Sequence, residues 1–178
     1  MKQFFNIVRP LKKVLGFKGA SPQEKTEAFS ETDRFKACGV FMTTTAYKVV
    51  TEYNLDYGYY RSAEPFFVVK TEKELLKAIK DALEASWYVG ACINLSTKDY
   101  LKRLKERSFK HLYHNSTSCF IRLKGNRLEI TKYELHPSGH YLQENPDIVK
   151  LSIDEVGWDC ALQVILKTLN QEIDSKSR

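Results

Sequence analysis

The chain has 178 residues, of which 43% are hydrophobic, 12% aromatic and 28% charged, with a net charge of +6 and a pI near 9.0. That is enough apolar material to form a core without metal or disulfide staples, and the aromatic content excludes a disordered chain. No run approaches the roughly 18 to 20 uncharged apolar residues that a spanning helix needs, so no membrane span is expected.

Residues 1–20 combine unbalanced Lys2, Arg9, Lys12, Lys13 and Lys18 with an apolar stripe of Phe4, Phe5, Ile7, Val8, Leu11 and Leu15. Asn6, Arg9 and Pro10 interrupt any secretory core, which leaves a basic helix docked on its own domain or one seeking a membrane surface. Ser21, Pro22 and Glu24 have the order of an N-cap, a first-turn proline and a capping-box acid, and predict a short helix to about Ser30. From Phe35 to Glu52 apolar side chains fall on both faces of an extended pattern, which predicts central strands.

The segment from Tyr53 to Tyr60 interrupts that pattern with turn formers among tyrosines, and extended structure resumes at Phe66 to Val69, so a loop or sheet edge is expected there. Thr71 and Glu74 form a second capping box, followed by Leu75, Leu76, Ile79, Leu83 and Trp87 at helical spacing. A basic run, Lys98, Lys102, Arg103, Lys105 and Arg107, predicts a short surface helix. Ser118 to Leu135 reads as a hairpin around Gly125-Asn126, pairing Leu123 with Leu128, Ile121 with Ile130 and Arg122 with Glu129. One face of that hairpin should be buried and the other solvated, as in a sheet covered by helices on one side.

A loop over His136 to Pro146, a short strand near Ile148 to Leu151, and a helix capped by Ser152 with Glu155 complete the chain, ending in a frayed tail at 174–178. The order implies a single α+β domain over 1–178, a mainly antiparallel sheet packed with helices.

The chemistry-bearing residues form no familiar catalytic pattern. There is no phosphate loop and no nucleophile elbow, so no nucleotide or serine-hydrolase chemistry is expected. Cys38, Cys92, Cys119 and Cys160 are far apart with no CxxC, and are read as buried free thiols of a reducing compartment, which implies a cytoplasmic location. His111, His114, His136 and His140 with Cys119 contain enough donors for zinc, but Pro137, Ser138 and Gly139 deny the second pair a common helical face, so no metal and no cofactor are expected. His111 or His140 as a general base, and the run Lys98 to Lys110 with Tyr100, Phe109 or Tyr113 as a nucleic-acid surface, are the competing readings. For protein recognition the richest segment is Tyr53, Asp56, Tyr57, Tyr59, Tyr60 and Arg61, residue types that dominate interface hot spots; tyrosines packed over a sheet end would look the same.

Phe35 to Glu52, Tyr59-Tyr60-Arg61-Ser62, Pro65 to Val69 and Leu83-Glu84-Ala85-Ser86 together resemble an immunity protein of a bacterial contact-dependent growth inhibition system, over roughly Phe35 to Leu169. The resemblance implies a cytoplasmic, non-enzymatic protein that binds and neutralises a toxin domain, commonly a nuclease. In one branch of such proteins the toxin adds a β-hairpin to the immunity protein's sheet. The charge of +6 departs from the acidic surface expected against a basic nuclease. It implies either an acidic toxin surface, or backbone and apolar recognition with a local acidic patch at Glu52, Asp56 and Glu64.

Overall fold

The computed structural model describes residues 35–55, 59–86 and 95–171, with the backbone alone at 54, 55, 59 and 60. The basic segment 1–20, the helix expected from Ser21, Asp56, Tyr57, Trp87, Cys92 and the tail 174–178 lie outside the described residues.

Six strands, β1 Lys36–Thr43, β2 Tyr47–Leu55, β3 Tyr59–Val69, β4 Ser116–Lys124, β5 Arg127–Leu135 and β6 Leu142–Ser152, form one sheet in the order β3-β2-β1-β4-β5-β6. All neighbours are antiparallel. Four helices, α1 Glu72–Ala85, α2 Thr97–Arg103, α3 Phe109–His114 and α4 Ile153–Asn170, complete the described α+β architecture.

The apolar alternation of the strands decides which helix goes where. Cys38, Val40, Val49, Cys119, Ile121, Leu128 and Ile130 face one way and form a core with Leu75, Ile79 and Leu83 of α1 and Leu162, Ile165 and Leu169 of α4. Helix α1 packs on β1 to β3 and α4 on β4 to β6. Phe41, Val50 and Leu142 face the other way, into a second core with Tyr100 and Leu104 at α2 and Leu112 of α3. The sheet is therefore covered on both faces, where one helical layer was expected. In this second layer α2 is the short helix expected from the basic run, here docked on the sheet, whereas the 6-residue α3 was not expected, being too short to show an amphipathic period.

The central hairpin has the expected register: Leu123 pairs with Leu128, Ile121 with Ile130 and Arg122 with Glu129. Its two-residue turn places Gly125 at φ 58°, the positive first position that a type II′ turn requires. Helix α1 carries the predicted capping box, with Thr71 Oγ1 accepting from the Glu74 N–H at 3.3 Å and Glu74 Oε2 accepting from the Thr71 N–H at 3.1 Å.

At α4 the expected box is not formed, and the Ser152 side chain makes no capping bond. Gly157, at φ 73° and ψ 165°, breaks the helix after its first turn, a conformation open to glycine alone. That first turn is tied instead to the β4–β5 turn, through Ile153 N–H to the Asn126 carbonyl and Asn126 Nδ2 to Asp154 Oδ2, each 2.8 Å.

Strand β6 is also longer than expected, because Pro146 is accommodated on the outermost strand at a register shift opposite Thr131 to Tyr133. The other outer strand, β3, has its own break opposite Val50 and Thr51, where Glu64 and Pro65 are the extra residues.

Ile130 is fully buried between the central strands and α4. Ile130→Ala should cost about 2 to 5 kcal/mol in urea denaturation. A loss below about 1 kcal/mol would show that this layer is not the main core.

Candidate functional site

Alternation along β2 places Lys48, Val50 and Glu52 on the face covered by α2 and α3, so two ionisable groups flank one valine beneath those helices. Each finds a different solution. Lys48 donates to the Leu104 carbonyl at 2.8 Å and pairs with Glu106, and both ionic side chains are more than nine-tenths buried. The other oxygen of Glu106 meets His111 Nδ1 at 2.7 Å. Burial alone would raise the Glu106 carboxyl, but hydrogen bonds and charge from Lys48 and His111 outweigh it and hold the group below the ordinary carboxylate range. The trio fastens the link between α2 and α3 to the sheet.

Glu52 has hydroxyl neighbours. Ser62 donates to Glu52 Oε1 at 2.6 Å, and the Tyr100 phenol lies nearby. Gly39 leaves room above the carboxyl, since a Cβ there would stand 3.9 Å from Oε1. Burial pushes the Glu52 carboxyl up to about 8, against the lowering effect of the Ser62 bond. Burial likewise raises the phenols nearby, Tyr113 to about 12, with the Glu52 charge adding to the effect. Glu52 is thus neutral through most of the physiological range.

Two members of the proposed acidic patch are engaged elsewhere, and the third, Asp56, lies outside the described residues. Glu52 is turned inward, and Glu64 is paired with Arg103. Tyr53 is buried, and its hydroxyl donates to the Glu64 carbonyl at 3.1 Å, which braces the β2–β3 hairpin across its register break. Tyr59 and Tyr60 open β3, paired with Leu55 and Asn54, and Arg61 is exposed. The described part of the segment, Tyr53 and Tyr59 to Arg61, therefore lies on β2 and β3 at one side of the sheet, with β3 outermost.

The basic run occupies α2, α3 and their link, with Lys98, Lys102, Lys105, Arg107 and Lys110 exposed. Its aromatic companions face inward: Tyr100 is buried against Phe66 and Phe109, each at 5.2 Å between ring centroids, and Phe109 stacks on Tyr113 at 5.6 Å. They are occupied in the core and are not presented to a base.

His114 lies against the loop at Gly139, and His136 stacks on Tyr141 at 4.2 Å, so the two histidine pairs approach each other. Among the described residues no group of three or more His, Cys, Asp or Glu side chains could hold a metal. Cys38 and Cys119 are buried free thiols, the latter raised to about 12 by burial, whereas Cys160 is exposed on α4, contrary to the expectation for it. Among the described residues no helix is long and apolar enough to cross a membrane.

Sequence reasoning missed Lys48 and Glu106. The available signal was a lysine set among Tyr47, Val49 and Val50 in a strand read as central, which obliges an acid elsewhere to meet it.

No protein-family model matches the chain, and neither does any curated protein. Two solved structures share its fold. A chain of the CdiA-CT/CdiI toxin and immunity complex from Yersinia pseudotuberculosis is 16% identical with a TM-score of 0.55, covering 77% of this chain and 98% of that one. A protein of unknown function, NMB0488 from Neisseria meningitidis, is 17% identical with a TM-score of 0.56, covering 78% of this chain and 95% of that one.

The Glu52 carboxyl gives a signed prediction. Its folded value of about 8 lies above the ordinary 4.5, so its contribution to stability is complete below about pH 4.5 and is lost as pH rises through about 8. Glu52→Gln keeps an acceptor for Ser62 and should remove a decline on the order of a few kcal/mol between pH 5 and 9. Identical pH profiles for the two proteins in chemical denaturation would refute the neutral, half-buried acid.

Proposed function

We propose that this protein is an immunity protein that binds and neutralises a cognate toxin domain, a nuclease, of a contact-dependent growth inhibition system. It acts in the cytoplasm by stoichiometric occlusion, without cofactor and without catalysing a reaction. The observation that carries this reading is the shared fold with a chain of the CdiA-CT/CdiI toxin and immunity complex, which extends over 98% of that chain.

The site geometry supports a binding role. The ionisable groups gathered beneath α2 and α3 are engaged with one another: Glu106 with Lys48 and His111, Glu52 with Ser62. The first group holds the second layer on the sheet, and the bond from Ser62 to Glu52 joins β3 to β2. The β2–β3 hairpin combines an outer strand, whose backbone groups can pair with an incoming strand, with Tyr57, Tyr59, Tyr60 and Arg61 as contact residues. Asp56 belongs to the same proposed contact set, and Tyr53 contributes from beneath by bracing β2 against β3 through Glu64.

On this reading a large toxin-encoding frame is expected immediately upstream, and the test uses the C-terminal domain that such a frame encodes. Co-expression should rescue growth, and the purified proteins should bind one to one at salt that abolishes nucleic-acid binding. Tyr57→Ala with Tyr60→Ala should weaken that binding about tenfold or more while shifting Tm by no more than a few degrees. Unchanged affinity removes the segment from the interface, and absence of wild-type binding to the toxin domain removes the function itself.

A further inference from the structure

Alternation along β4, β5 and β6 gathers cations at one end of the face that α2 and α3 cover elsewhere. Arg122 pairs with Glu129 and Glu129 with Lys150 in a row across the three strands, and Lys124 pairs with Arg127 one step nearer the hairpin turn. All five side chains share one face. Glu129 is the acid of this row, and its carboxylate is shared among Arg127 at 3.4 Å, Arg122 at 3.8 Å and Lys150 at 4.0 Å. One negative charge cannot neutralise three cations, so a local positive excess remains. Arg127 and Lys150 are about half exposed, at 56% and 51%, whereas Glu129 is 16% exposed, so the excess is presented outward and the acid lies below it.

Asp154, in the first turn of α4, is hydrogen-bonded to Asn126, and among the described residues it forms no ion pair with Arg127 or Lys150; the body of α4 beyond Gly157 packs on the opposite face of the sheet. Beside the cations, Ile148 falls on the same face two residues from Lys150, is 39% exposed, and belongs to β6, the outer strand away from the tyrosine hairpin. A cation pair next to an exposed aliphatic side chain suits a protein surface better than a phosphate backbone, which offers no apolar group at that spacing.

We propose that the toxin partner places acidic side chains, with an apolar one beside them, against Arg122, Arg127, Lys150 and Ile148 on this end of the sheet. The inference rests on the immunity reading and deepens it, since it gives the positive charge of the chain a role in recognition. Charge of this kind at an interface rim acts mainly on the association rate and on salt dependence.

The experiment measures affinity and association rate for the toxin domain of the binding test above, from low to high salt. Arg127→Gln with Lys150→Gln is compared with Lys98→Gln with Lys102→Gln, which removes the same charge from α2. The first pair should lower affinity about tenfold at low salt and flatten the salt dependence, while the α2 pair should leave both close to wild type. Arg127 and Lys150 are exposed and their ion pairs are long, so both variants should fold; matching thermal transitions check this.

Equal losses in the two pairs would mean that only net charge matters and would overturn the proposal. No loss in the first pair would overturn it while leaving the immunity function intact. Loss of toxin binding by the wild type would overturn both. Binding of a DNA or RNA duplex abolished by the same pair would reassign the surface to nucleic acid.

Discussion

Strand β1 is buried along its length from Ala37 to Phe41 and hydrogen-bonded on both sides, and the remainder of the described architecture answers to that constraint. Apolar side chains leave it in both directions, so a sheet with one wet face could not accommodate it. The long helices α1 and α4 cover Cys38 and Val40. Phe41 needs a second cover, and α2 with α3 supply it. Helices of that length are marginal in isolation. They persist because Tyr100, Leu104 and Leu112 are inserted against the sheet and because Lys48 holds the connection between them.

The same layer shows how surroundings and not residue type determine charge. Two glutamates lie within one interface. Glu106 sits between Lys48 and His111 and stays ionised despite losing water. Glu52 sits among a serine, phenols and a glycine, and retains its proton to about pH 8. An ionised pair and a neutral acid each satisfy the rule that charge is not buried alone. Each group is engaged by neighbours within the fold.

Local rules made the fold legible where a few neighbouring residues decide the outcome. The register of Ser118 to Leu135 follows from alternation about Gly125-Asn126, and the start of α1 from the pairing of Thr71 with Glu74. What escaped sequence reasoning depends on tertiary partners. Helix α3 has 6 residues and no period to read. Pro146 argued for a loop, yet an outermost strand can dispense with its N–H. Ser152 and Glu155 have the spacing of a capping box that Gly157 dissolves. Tyr53 reads as a contact residue, whereas it lies inside the hairpin. Which side chains of the tyrosine segment face outward depends on register, which composition cannot convey.

Both outer strands carry a proline at a register break, Pro65 in β3 and Pro146 in β6. Each edge is therefore divided into two short runs, residues 59–63 and 66–69 on one side and 142–144 and 148–152 on the other. A run of five residues offers about 16 Å of pairing before the ladder is interrupted. Long, indiscriminate strand addition, the route to fibres, has no continuous template on either side. Such segmentation leaves each edge only short stretches of backbone for any strand that might approach it, each bounded by its own side chains.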